Sequence, residues 1–144
     1  MQARRYAEGT SVAVDRSRAE IEKLVRRHGA AAFASMWARD RYVVGFEMHG
    51  LQVRLDVPAP DAKRFRTSQK WEAEQRRRWR VLLLLLKAKL EMVASGDADF
   101  QSEFLAYLTL PGGKTVGQVV LPDLERAIAG EGLPPLLPAG GGAK

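Results

Sequence analysis

From Leu51 to Val57 apolar and polar residues alternate, with Leu51, Val53, Leu55 and Val57 set against Gln52, Arg54 and Asp56. That period of two belongs to a strand with one dry face. The run before it repeats the pattern through Tyr42, Val44, Phe46 and Met48, and His49-Gly50 between them suits a two-residue hairpin turn. Such a turn sets Met48 opposite Leu51, Phe46 opposite Val53, Val44 opposite Leu55 and Tyr42 opposite Val57. On the other face Glu47 meets Gln52, Gly45 meets Arg54 and Val43 meets Asp56. A slip of one residue would expose the whole dry set, so the register is strongly specified. Ala32 to Ala38 adds a third strand, joined by a tight turn around Asp40-Arg41, with Phe33, Ser35 and Trp37 on the dry face. The sheet predicted is a three-stranded antiparallel meander, ended by Pro58 and Pro60.

Elsewhere the period is helical. Residues 1–10 are polar and read as loose, and Ser11 to Val14 as a short edge strand. Ser17-Arg18-Ala19-Glu20 has the form of a capping box, so a first helix is predicted from Ser17, carrying Ile21, Leu24, Val25 and His28 inward and ending at Gly29. A basic linker, Asp61 to Ser68, leads to a long helix over Lys70–Gly96 with Thr67 or Ser68 as its cap. On that helix Trp79, Leu82, Leu83, Leu86, Leu90 and Val93 form one apolar stripe, and Val81, Leu84, Leu85, Ala88 and Met92 a second. A helix apolar nearly all round must be covered on more than one side. The sheet's dry face and the C-terminal helices are the expected covers. Asp97 or Asp99 caps a short helix that buries Phe100, Phe104, Leu105 and Leu108. Thr115-Val116-Gly117-Gln118 opens another, in which Leu124 and Ile128 point inward, Pro122 forces an interruption or restart, and Gly130 marks the end.

The fold class that follows is α+β: a three-stranded antiparallel meander packed on a long central helix, with one N-terminal and two or three short C-terminal helices. Residues 1–132 make a single domain and 133–144 a Pro/Gly-rich disordered tail.

Composition changes this picture in three ways. The chain of 144 residues contains no cysteine, so disulfides and cysteine metal sites are excluded and a reducing, cytoplasmic setting in a host cell is expected. Val81 to Leu86 is far shorter than the roughly 20 residues of a membrane span, and the first ten residues have no apolar core of a secretory signal; no membrane association is expected. The net charge of +6 favours anionic partners. Arginine exceeds lysine, which suits bidentate phosphate contacts and also accompanies GC-rich coding.

Candidate chemistry is sparse. His28 and His49 have no second ligand at metal spacing, so no metal or cofactor is expected. No nucleophile elbow or carboxylate pair is set for acid–base work, and the chain reads as no enzyme. Pro111-Gly112-Gly113-Lys114-Thr115 has the end of a phosphate-binding loop, yet lacks its first glycine and preceding buried strand; a turn with a helix cap is the better reading. The strongest candidate is a basic cluster, Lys63, Arg64 and Arg66 in the linker with Lys70, Arg76, Arg77, Arg78 and Arg80 on the long helix, interleaved with Phe65 and Trp71 as base-stacking aromatics. Against it, these arginines spread around the helix, and Glu72–Arg76 and Glu74–Arg78 at i,i+4 make a self-neutralised, solvated face.

The order helix, three antiparallel strands, helix resembles the double-stranded-RNA-binding domain in topology. The loop Ala38-Arg39-Asp40-Arg41 lacks that domain's histidine, and only Lys70 with Arg76 to Arg78 compares with its lysine-rich helix start. The segments Tyr6–Thr10, Ser17–Glu22, Trp79-Arg80, Leu86–Glu91, Glu103–Tyr107, Leu110-Pro111 and Thr115–Gly117 resemble an uncharacterised family of small tailed-bacteriophage proteins. That resemblance implies a phage or prophage setting, with DNA metabolism or host defence as its theatre. The expected function is a non-catalytic accessory protein binding DNA or RNA. The alternative is a protein-binding module, either an inhibitor of a host factor or a homodimer formed through the leucine-rich helix.

Overall fold

The computed structural model describes the backbone of residues 2–138 and, within it, the side chains from residue 14 onward. Helix α1 (Gln2–Arg27) leads into strands β1 (Ala32–Ala38), β2 (Arg41–Met48) and β3 (Leu51–Pro58). After the linker come α2 (Ser68–Ala94), a single turn α3 (Phe100–Glu103) and α4 (Val116–Glu131). The sheet is antiparallel in the order β1-β2-β3, consistent with the α+β class. Of the expected tail, 133–138 has no helix or strand, and 139–144 lies outside the described residues.

The hairpin has the register that alternation demands: Met48 pairs with Leu51, Phe46 with Val53, Val44 with Leu55 and Tyr42 with Val57. Its turn places both His49 (φ 55°) and Gly50 (φ 73°) in the left-handed region, as a type I′ turn requires. Tyr42, Val44, Phe46, Met48, Val53 and Leu55 are all buried. Above them lie α1, contributing Ile21, Leu24 and Val25, and α2, contributing Trp79, Leu82, Leu86 and Leu90, in one continuous core with Phe100 and Phe104.

Four expectations about the helices are corrected. Helix α1 starts well before Ser17, so residues 11–14 form no edge strand and Ser17 lies inside the helix instead of capping it. The apolar spacing explains this: Val14 stands seven residues before Ile21 on the same stripe and packs against the core. An Asp15–Arg18 ion pair at i,i+3 bridges one turn over the supposed start. Secondly, the second flank of α2 is covered by neither the sheet nor the C-terminal helices. Its partner in the helix layer is α1, and Val81, Leu84, Leu85 and Met92 remain exposed. Thirdly, Leu105 is exposed, and Leu124 and Ile128 of α4 point into solvent.

Lastly, Pro122 neither breaks nor restarts α4, which runs one residue past the expected end at Gly130 to Glu131, with Gly132 (φ 80°) donating to the Ile128 carbonyl at 2.8 Å. Proline removes the bond to the carbonyl four residues back, here that of exposed Gln118, which water can satisfy. The Thr115–Gln118 capping box forms as the spacing predicts.

Candidate nucleic-acid interface

The linker leaves β3 through Pro58 and is held close to the body. The Asp61 carboxylate accepts from the Lys63 amide at 3.0 Å and starts a 3-10 turn over Ala62–Arg64. Thr67 then caps α2, its hydroxyl accepting from the Lys70 amide at 3.2 Å. Trp71 is no free stacking platform: it is half-buried, and its indole N–H donates to the carbonyl of buried Pro60 at 2.8 Å. Phe65 is likewise half-buried. Trp71 docks the linker.

On α2 the arginines divide by what they touch. Gln75, Trp79, Leu82, Leu86 and Leu90 define the buried face. Arg78 lies near its margin and donates to the Pro58 carbonyl and, at 3.2 Å, to Glu74. Arg77 forks onto Glu74, with Nε 3.1 Å from both carboxylate oxygens. The hydrogen bonds from Arg77 and then Arg78 hold the Glu74 carboxyl down at about 2, and the same contact raises the Arg77 pKa. The Glu74–Arg78 pair therefore forms as expected, while among the described residues no Glu72–Arg76 pair does.

Lys63, Arg64, Arg66, Lys70, Arg76 and Arg80 are exposed, and among the described residues none of them enters an ion pair. On a helix of 3.6 residues per turn Lys70, Arg77 and Arg80 share the arc opposite the buried face, while Arg76 and Arg78 fall on its two flanks. The arginines spread around the helix, as their near-consecutive numbering suggests. Residues 61–80 hold eight cationic and three acidic side chains, hence +5 of the chain's +6.

Alternation places Trp37 on the dry face, and the strand pairing agrees. It pairs with Tyr42, which pairs with Val57, so it occupies the sheet row beside Pro58 and the linker. It is on the dry side, yet 66% exposed. Alternation identifies a strand's face; it carries no information on how far along a row the helices cover it.

On the wet face Met36, Arg41, Val43, Arg54, Asp56 and the Gly112–Lys114 turn line an open concavity of about 490 Å³. Arg54 is consumed there, donating to the Gly113 carbonyl and, at 3.1 Å, to Gln118. Amides in and just after the turn are engaged too: Gly113 donates to Leu110 O at 2.9 Å, Val116 to Leu108 O at 2.9 Å and Thr115 to Gln118 Oε1 at 3.0 Å. A phosphate cradle needs such amides free. Here they build the turn and start α4.

No protein-family model, no curated protein and no solved structure matches this chain. Among the described residues no helix is long and apolar enough to cross a membrane. No three His, Asp or Glu side chains among them could share a metal ion.

Proposed function

We propose that the protein is a non-catalytic accessory protein that binds nucleic acid along the sugar–phosphate backbone, through the linker and the outward arc of the first half of α2. The observation that carries this reading is the concentration of +5 of the net +6 in residues 61–80, with six of the cations exposed and outside any ion pair among the described residues. Unpaired surface cations gain most from phosphate, because counterions released from the nucleic acid offset little loss of internal pairing. Trp37 on β1 is an exposed aromatic, of a kind suited to stacking on an unpaired base. Contacts of this kind position a strand and carry little sequence information.

The test is a fluorescence-anisotropy titration with single- and double-stranded DNA and RNA at two salt concentrations. Binding should weaken steeply with salt, and the triple charge reversal of Arg64, Arg66 and Arg76 should weaken it further and flatten the salt dependence. Absence of any salt-sensitive binding would rule the reading out.

A further inference from the structure

Helix α4 is 16 residues long and buries no residue. Isolated helices of that length are marginal in water, and this one also carries Pro122 and Gly130. Its own chain touches it at the base, where it leans on the turn over Leu105–Tyr107 and where Gly117 abuts Ala106. Beyond that, Val120, Leu124 and Ile128 recur at helical spacing and are exposed, Leu124 by 48%. The same molecule has a second open apolar face, on α2, where Val81, Leu84, Leu85 and Met92 are exposed, Leu84 by 58%.

We infer that two copies of this chain associate by exchanging α4, so that the Val120–Leu124–Ile128 face of each copy seats on the Val81–Leu84–Leu85–Met92 stripe of the other. Charge selects this occupant. In α4, Arg126 is engaged with Asp123, leaving Glu125 and Glu131 outside any ion pair among the described residues. The α2 stripe is bordered by Arg80, Lys87 and Glu91, all exposed and likewise outside any ion pair among the described residues, so its rim is net basic. At 1.5 Å per residue the two acids are separated by roughly 9 Å along α4 and the two bases by roughly 10 Å along α2. An acidic apolar helix and a basic-rimmed apolar stripe are thus complementary, and one chain carries both. Reciprocal exchange about a twofold axis uses each face once per copy and closes, where a one-way contact would leave half the faces open and propagate. Pairing α4 with α4 would bring two acidic rims together instead.

The test is light scattering of the full chain over the micromolar range, with Leu84→Glu on α2 and Leu124→Glu on α4 as separate variants. Both positions are exposed, so both variants should keep the wild-type circular dichroism spectrum. The wild type should be a dimer and each variant alone a monomer. Mixed together, the two variants should form a heterodimer, because the α4 of the Leu84→Glu chain and the α2 of the Leu124→Glu chain are both intact. Glu125→Lys should weaken the wild-type dimer at low salt, with Arg80→Glu in the same chain restoring it. A monomeric wild type overturns the inference. So does a dimer that survives Leu124→Glu, which means α2 pairs with α2, or one that survives Leu84→Glu, which means α4 pairs with α4. A mixture no more associated than either variant alone overturns it as well.

Discussion

Tyr42 and Trp79 meet where β2 passes under α2, with ring centroids 5.1 Å apart and planes tilted by 55°. Both rings are buried, and neither the Tyr42 hydroxyl nor the Trp79 indole N–H reaches a partner at hydrogen-bond geometry. Burial pushes the Tyr42 hydroxyl up to about 12, while the nearby indole and, more weakly, Arg78 oppose it. The unfolded value is near 10. A folded value above the unfolded one contributes stability that is complete below pH 10 and is lost as pH rises towards 12. Urea midpoints of the wild type should therefore fall through that alkaline window, and those of Tyr42→Phe should fall much less. At pH 7 the phenylalanine variant should be as stable as the wild type or about 1 kcal/mol more so, since it removes a buried hydroxyl without a partner.

Glu74 has the opposite sign. Its folded value of about 2 lies below the ordinary 4.5, so its pairing with Arg77 and Arg78 contributes above pH 4.5 and is lost as pH falls towards 2. Glu74→Gln should be slightly less stable than the wild type at pH 7, with the difference gone at pH 2. Denaturation curves at the two pH values read this directly. Because the substitution also frees Arg77, anisotropy at low salt should show tighter nucleic-acid binding.

Trp37→Ala separates stacking from charge. Loss of a base-stacking aromatic costs about 1–3 kcal/mol per base. Affinity for single strands should fall accordingly, with the salt slope and the duplex affinity nearly unchanged. Trp37 is also the most exposed of the three tryptophans, so bound single strands should quench the intrinsic fluorescence, and the variant should lose that quench.

Gly117→Ala tests how α4 is anchored. A Cβ at this position would lie 2.9 Å from the Ala106 carbonyl oxygen, closer than such atoms come, although alanine is otherwise the better helix former. The backbone contact must open. Amide exchange should accelerate across 116–131 while exchange in β2 and α2 stays at the wild-type rate.

The sheet was legible almost residue by residue, because a period of two, a His-Gly turn and a dry face on both strands admit a single register. The start of α1 was not. Serine followed three residues later by glutamate is the signature of a cap, and it also occurs inside helices, where Ser17 and Glu20 in fact stand. Periodicity also finds apolar faces without revealing what covers them. The open stripe on α2 and the bare face of α4 look, as text, like any core-forming pattern. The candidate site was legible as a list of charges, not as a surface: the docking of Trp71 on Pro60 and the use of Arg78 on Pro58 are long-range contacts, and Trp37 is exposed although α2 covers its row at Tyr42.

The two margins of the meander are treated unequally. Along β3, Val53 bridges Leu108 and the Thr109 amide donates to Gln52 at 2.8 Å, so the returning chain occupies that margin. Along β1 no such bridge occurs among the described residues, and Met36 and Trp37 lie there exposed. An incoming strand thus finds its longest uncovered run of amides and carbonyls along β1. The sheet lengthens most readily in that direction, and self-association of partly unfolded molecules should begin at residues 32–38.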